Sequence, residues 1–198
     1  MKNIGVLVSG GGTNLQAILD AFDAGKITGG RIALVLSSNP EAYALTRAEQ
    51  HGVPTAVVES AQYKREDGGF DREGFSAEIA RRFEQAQIDI VVLAGFNFVL
   101  SEDFVHRYEN RIINVHPSLI PSFCGKGFYG LATHRAVLAS GVKLTGATVH
   151  FVTAEPDAGP IIAQKAVPVR YGDTPEMLQR RVMEEAEWII LPEVLDHL

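Results

Sequence analysis

The sequence has one cysteine, Cys124, and one tryptophan in 198 residues. A single thiol excludes an internal disulfide and any zinc site built on several cysteines. Histidine is thinly spread. His51, His106, His116, His134, His150 and His197 show no His-Glu-x-x-His spacing, so no metal site is expected. No apolar run approaches the ~20 residues that cross a bilayer. The N-terminal run Ile4–Val8 passes straight into glycines without a cleavage-site pattern, so neither a membrane partner nor an exported leader is expected. Lys and Arg (18) are outnumbered by Asp and Glu (24), giving a net charge of −6 with no basic block. Nucleic acid is therefore not an expected partner, since binding its backbone rests on clustered cations. What is present is 46% hydrophobic and 21% charged residues, too apolar a mixture for disorder. The chain is long enough to bury a core without covalent staples. The expectation is one cytoplasmic domain, residues 1–198, acting on a small polar ligand.

Short β-branched runs alternate with longer amphipathic ones. Strands are expected at Ile4–Val8, Arg31–Ser37, Thr55–Val58, Ile88–Ala94, Ile112–His116, Thr145–Val152 and Ile161–Val169. Helices are expected at Asn14–Ala24, at Glu41–His51 closed by Gly52, and at Asp71–Gln87. A short helix follows Ser101 through Arg107, and another spans Leu131–Ser140 and ends at Gly141. The last is one continuous helix, Thr174–Leu195, with Asp173 as its cap. This alternation implies an α/β fold: a Rossmann-like, mostly parallel twisted sheet with helices on both faces. The short loop Thr153–Pro160 makes the last two strands an antiparallel hairpin near the C-terminus. Pro117–Gly130 is rich in turn residues and aromatics and has no helical period. Ligands in such folds lie beyond the carboxyl ends of the strands, which selects the segments starting at Ser9, Gly95, His116 and Thr153.

Ser9-Gly10-Gly11-Gly12-Thr13-Asn14 joins the first strand to the first helix. Adjacent glycines let successive N–H groups turn toward one anion, and the helix N-terminus behind them adds partial positive charge. Three glycines exceed what a tight turn needs, so a phosphate is the expected occupant, with Thr13 and Asn14 as side-chain donors. The Gly-Lys-Ser/Thr ending of a P-loop is missing, and Leu15 stands where a dinucleotide motif has its third glycine. A monophosphate fits better than a dinucleotide.

Asn114-Val115-His116-Pro117 closes an apolar strand, and residues two apart in a strand share a face. An amide and an imidazole side by side suit acyl chemistry, in which aimed donors stabilise the oxygen that gains charge. The imidazole can also move protons near neutrality. Asp157, in the turn Glu155–Pro160, is expected at the same end of the sheet, where it would keep His116 protonated or hold a proton-carrying water. Asp-Ala-Gly is also ordinary turn chemistry. His150 leads toward that turn, and a supporting role and a core role both stay open.

The chain resembles the 10-formyltetrahydrofolate-dependent glycinamide ribonucleotide formyltransferases over essentially its whole length. The resemblance rests on Val8–Ala17, Val92–Phe96, Asn114–Pro121, Gly146–Val152 and Asp157–Ile162. It implies the formyltransferase fold and a one-carbon transfer in purine biosynthesis. The formyl donor is 10-formyltetrahydrofolate, a cosubstrate, the acceptor is glycinamide ribonucleotide, and no metal is involved. It divides the domain into a phosphate-binding half (1–95) and a folate-binding, catalytic half (96–198). By position, Gly12, Thr13 and Asn14 match the phosphate site, and Asn114, His116 and Asp157 match the catalytic trio. Asn97, Phe98, Val99 and Leu100 match the wall of the pteridine pocket, and Asn114 borders it. Thr153, Ala154, Glu155, Pro156 and Asp157 match the loop over the folate head, and Arg72 matches an arginine near the folate. Either Glu187 or Glu185 matches the glutamate on the ribose hydroxyls, with Glu187 the first choice.

Phe98 stands where many members carry arginine, and Cys124–Tyr129 follows a longer form of its loop, to which no catalytic role is assigned. Cys124 has no adjacent base and is expected to be inert. The competing expectations are formyltetrahydrofolate deformylase, methionyl-tRNA formyltransferase and a non-catalytic nucleotide-phosphate module. The first normally has a regulatory domain ahead of this core and the second a basic tRNA-binding domain after it. The third has no use for Asn114, His116 and Asp157 together.

Overall fold

The computed structural model describes residues 1–198. Seven strands form one sheet: β1 (Lys2–Val8), β2 (Gly30–Ser37), β3 (Thr55–Val57), β4 (Ile90–Leu93), β5 (Ile112–His116), β6 (Leu144–Phe151) and β7 (Ile161–Pro168). Their order across the sheet is β3-β2-β1-β4-β5-β6-β7. The first five are parallel, β6 runs against β5, and β7 runs against β6. The expected architecture, including the hairpin near the C-terminus, is therefore found.

The helices are α1 (Thr13–Asp23), α2 (Tyr43–Gln50), α3 (Arg72–Gln85), α4 (Glu102–Arg107), α5 (Leu131–Ser140), α6 (Pro175–Val182) and α7 (Trp188–His197). A 3₁₀ turn at Ser60–Tyr63, with no signal in the sequence pattern, precedes α3. The strands split the core in two. Ile4, Val6, Ile90, Val92, Ile113 and Val115 pack with α1, α5, α6 and α7, whereas Leu7, Val91, Leu93 and Ile112 pack with α3 and α4. This is the two-residue alternation of side chains along a strand. On β5 the Ile112 face continues as Asn114 and His116, so a polar pair replaces the apolar row where the sheet ends. Fully buried Phe75, Phe83 and Phe104 fill the second layer, each contributing roughly 1.5–3 kcal/mol by leaving water.

Two expectations about the C-terminal segment are corrected. The single helix Thr174–Leu195 is two helices joined by a π-helical turn, Met183–Glu187. The apolar stripe continues across the turn through Leu178, Val182, Ala186 and Ile190, so periodicity alone shows no break. The cap of α6 is Thr174, whose hydroxyl accepts from the Met177 amide, and not Asp173. Asp173 instead receives two hydrogen bonds from Arg181, at 2.5 and 2.7 Å, in a buried ion pair. Elsewhere the differences are confined to element ends: α2 starts at Tyr43, α3 stops at Gln85, and β4 is trimmed to Ile90–Leu93.

Candidate active site

Ser9 gathers three strand ends. Its amide donates to Gly95 O (3.1 Å), and its hydroxyl accepts from the Asn97 amide (3.0 Å) and from Ser38 Oγ (2.8 Å). The glycine loop and the Gly95–Leu100 segment are thereby tied together at the carboxyl end of the parallel strands. The carbonyls of Gly10, Gly11 and Gly12 are taken by the Ala44 amide, Arg47 Nε and the Gln16 amide. No side chain caps α1, unlike α3, α4 and α6, capped by Asp71, Ser101 and Thr174. Its first-turn N–H groups lack helical partners and suit an anion.

Asn14 reaches across to the C-terminal segment. Its Nδ2 donates to Glu187 Oε2 (2.8 Å), and its buried Oδ1 has no partner. Of the two glutamate candidates, Glu187, buried at the end of the π turn, makes this contact, and Glu185 is exposed. Burial pushes the Glu187 carboxyl up to about 7, against the opposing pull of the Asn14 hydrogen bond. Oδ1 of Asn14 and the carboxylate of Glu187 offer two acceptors to hydroxyl donors.

Asn114, His116 and Asp157 converge, and His150 is the side chain between them. Asn114 lies opposite His150, and His116 opposite Thr148, in the β5–β6 register. Asn114 Nδ2 is 3.2 Å from His150 Nε2. His150 Nδ1 lies 2.9 Å from Phe151 O, and a carbonyl only accepts, so Nδ1 carries hydrogen. In the neutral ring Nε2 then accepts from Asn114, which leaves the second N–H of that amide for another acceptor, whereas in the protonated ring Nε2 carries hydrogen and faces Asp157 as a donor. Asp157 reaches His150 Nε2 with Oδ1 (3.5 Å) and His116 Nδ1 with Oδ2 (3.4 Å), and its Oδ2 also accepts from the Gly125 amide (2.8 Å). Burial alone would raise the Asp157 carboxyl. The combined pull of His150, His116 and the Gly125 amide outweighs it and holds the group below its usual value.

The route by which Asp157 arrives differs from the expected one. Since β6 is antiparallel, its carboxyl end at Phe151 lies opposite Ile113, away from the His116 end. The Thr153–Pro160 loop therefore folds back across the sheet face. Asp157 makes that turn in the left-handed region (φ 57), where aspartate is tolerated better than most residues. Gly159 is required below it, because a methyl group there would overlap the Phe151 carbonyl oxygen. Thr153–Pro156 are exposed, and Thr153 Oγ1 donates to Glu155 O.

The segment after β5, given no catalytic role from sequence, contacts both partners of the His116–Asp157 pair. Phe123 O lies 2.9 Å from His116 Nε2, and Gly125 supplies the amide on Asp157. Both are backbone groups, which residue type does not announce. Burial and the nearby Asp157 charge push the Cys124 thiol up, consistent with its expected inertness.

Around the cleft, Asn97 and Val99 are exposed and Leu100 is buried. Phe98 is drawn into an aromatic group with Phe70, Phe75 and Phe96 at ring separations of 5.2–5.7 Å. Val152, just ahead of the aspartate loop, packs on the same cluster. Arg72 is exposed at the start of α3, without a hydrogen bond or ion pair from its side chain. His134 on α5 is buried and neither ring nitrogen has a partner. Desolvation, then the charge on His116, lowers it to about 4. A groove of about 480 Å³ between α1 and α7 touches the site at Thr13 and holds none of the trio.

The sequence matches the formyl transferase family over residues 2–195. It is 40% identical over 193 residues to the phosphoribosylglycinamide formyltransferase of Escherichia coli (strain K12), covering 98% of this chain and 85% of that protein. It is 42% identical to a trifunctional purine biosynthetic protein adenosine-3 of Gallus gallus, over 97% of this chain but only 18% of that much longer protein. Among solved structures, glycinamide ribonucleotide transformylase 1 of Symbiobacterium toebii superposes with a TM-score of 0.88 at 45% identity, covering 99% of this chain and 86% of that one. The Geobacillus kaustophilus transformylase 1 gives 0.87 at 36% identity, covering 100% and 98%.

Proposed function

The chain belongs to the formyl transferase family, and from that premise we propose that it moves the formyl group of 10-formyltetrahydrofolate to the glycine amine of glycinamide ribonucleotide. The observation that carries this reading is the convergence of Asn114, His116 and Asp157, through His150, at the sheet end that also bears an uncapped glycine loop. Within one domain, residues 1–95 supply the anion loop and residues 96–198 supply most of the folate-facing and catalytic groups. Arg72 and Glu187 cross that division.

The first turn of α1, at Gly12, Thr13 and Asn14, takes the phosphate, and Glu187 with Asn14 Oδ1 takes the ribose hydroxyls. The reduced folate lies between Asn97–Leu100 and Thr153–Asp157, whose apolar backing includes Phe98 and Val152. A flat heteroaromatic head fits such a wall, and exposed Arg72 is available to the carboxylates of the tail. The amine nitrogen bonds to the formyl carbon, and the carbonyl electrons move onto oxygen. The free N–H of Asn114 and the protonated ring of His116 stabilise that oxygen. As the tetrahedral species collapses, the proton lost by the amine reaches the departing folate nitrogen and the carbon–nitrogen bond to folate breaks. Asp157 compensates the imidazolium during these steps. Holding both reactants together can supply ~7–11 kcal/mol of the barrier reduction.

The test follows folate absorbance with both substrates present. Wild-type protein is expected to turn over, and His116→Ala and Asp157→Asn to lose ~10²–10⁴-fold in kcat, with affinity for glycinamide ribonucleotide changed less than about twofold. Failure to transfer, or equal losses in kcat and affinity, would refute the reading. Equal folate turnover without the acceptor amine would make the protein a hydrolase.

A further inference from the structure

Beneath His116 lies a buried polar network that the transfer mechanism does not use directly. Ser118 Oγ donates to Ser122 O (2.6 Å) and shares its proton with Phe123 O (3.2 Å). Phe123 O is the carbonyl that faces His116 Nε2, and Phe123 holds a left-handed φ of 53°. Thr148, opposite His116 in the sheet, donates to Ser118 O (2.7 Å) and accepts from the Ile120 amide (3.1 Å) and Gln164 Nε2 (3.0 Å). Ser118 and Thr148 are both completely buried. One hydroxyl, Ser118 Oγ, thus holds the carbonyl that points at the imidazole, and the other, on Thr148, holds the backbone of Ser118 itself.

From this geometry we propose that Ser118 is a positioning residue for His116. By holding the Phe123 carbonyl in place, it keeps hydrogen on Nε2, so that Nδ1 is the nitrogen at which the neutral ring takes up its proton and the hydrogen there is the one that meets Asp157 and the reacting groups. The choice of nitrogen matters because a neutral imidazole has one donor and one acceptor, and the partner of one decides the role of the other. With the carbonyl free to turn, both tautomers are populated and the ring loses its fixed direction. The catalytic consequence rests on the formyl-transfer reading above. The tautomer assignment does not.

The full-length protein with ¹⁵N-labelled histidine gives the direct readout by NMR at alkaline pH, where neutral rings show their tautomer. Wild-type His116 is expected as the Nε2–H form, and Ser118→Ala as a mixture. In the transfer assay Ser118→Ala is expected to lower kcat roughly 10- to 100-fold, the scale of a small misplacement of a reacting group. KM for both substrates should stay within about twofold. Thr148→Val, which removes the hydroxyl at nearly constant volume, should resemble Ser118→Ala. Thr148→Ser, which keeps it, should restore both the tautomer and kcat. A network that serves only stability would show the Nε2–H form in every variant, with kcat tracking the folded fraction, and that result overturns the proposal. A tautomer shift in a protein that transfers no formyl group would leave the positioning role standing and refute the function proposed above.

Discussion

At Gly12 two constraints coincide. Its φ of 71° lies in the left-handed region, and a β-carbon there would stand 2.6 Å from Ala44 Cβ. Gly12→Ala is expected to cost about 2 kcal/mol or more, by strain and overlap together. It should also tilt the first amides of α1 away from their anion. Urea unfolding measures the first effect, and weakened binding of inorganic phosphate the second. Residue type pointed to this loop and to Asn114 and His116, because glycine runs and an amide two residues from an imidazole have few structural uses, whereas Asp157, in ordinary turn chemistry, was singled out by the family resemblance. The resemblance put Glu187 ahead of Glu185 by alignment alone, because the burial that distinguishes their surroundings is not visible where two acidic residues share one helical turn. Nor could residue type find Phe123 and Gly125, which act through a carbonyl and an amide that every residue except proline carries.

The elements follow their sequence signals where those signals are local. Ser101 caps α4 through the Phe104 amide, and Gly141 closes α5 at φ 73. The start of α6 shows how neighbouring polar residues divide the work. Thr174 takes the cap, and the Asp173 carboxylate takes Arg181, which also donates to Pro168 O. Thr174→Ala is expected to cost about 1 kcal/mol, the usual value of a lost cap. Asp173→Ala should cost about 3–5 kcal/mol, because it leaves a guanidinium buried without its counter-charge. Chemical denaturation of the two variants should therefore rank them in that order. The reverse order would restore Asp173 as the cap. The route of the Thr153–Pro160 loop was less legible, since whether a connection passes the sheet end or folds back over its face depends on strand direction, a property of the assembled sheet.

For the molecule as a whole, two buried groups set opposing pH dependences. The Glu187 carboxyl is raised from an ordinary 4.5 to about 7. Its contribution to stability is full below about pH 4.5 and lost as pH rises through 7. His134 is lowered from 6.5 to about 4, so its contribution is full above about pH 6.5 and lost as pH falls through 4. Each is worth roughly 3 kcal/mol. Between about pH 4.5 and 6.5 the two slopes oppose each other, and stability should be nearly flat. Glu187→Gln removes one of them, so the urea midpoint of that variant is expected to fall on acidification from pH 6.5 to 4.5 while wild type holds. Parallel curves for the two proteins would remove Glu187 from this balance. Asp173, held below the ordinary carboxylate range chiefly by its Arg181 hydrogen bonds, acts only at lower pH.

The π turn at Met183–Glu187 makes the last segment sensitive to counting more than to composition. It admits one residue more than an α-helical ladder would hold, and that surplus lets Glu187 face Asn14 while Ile190, Leu191, Val194 and Leu195 still face the sheet. Conservative exchanges within Met183–Glu185 leave the spacing intact. Deleting any one of them removes the surplus and straightens the helix with the downstream faces kept, whereas inserting a further residue rotates everything downstream by about 100°. The glutamate and the hydrophobic ridge then turn away together, so an insertion is the change this stretch tolerates least.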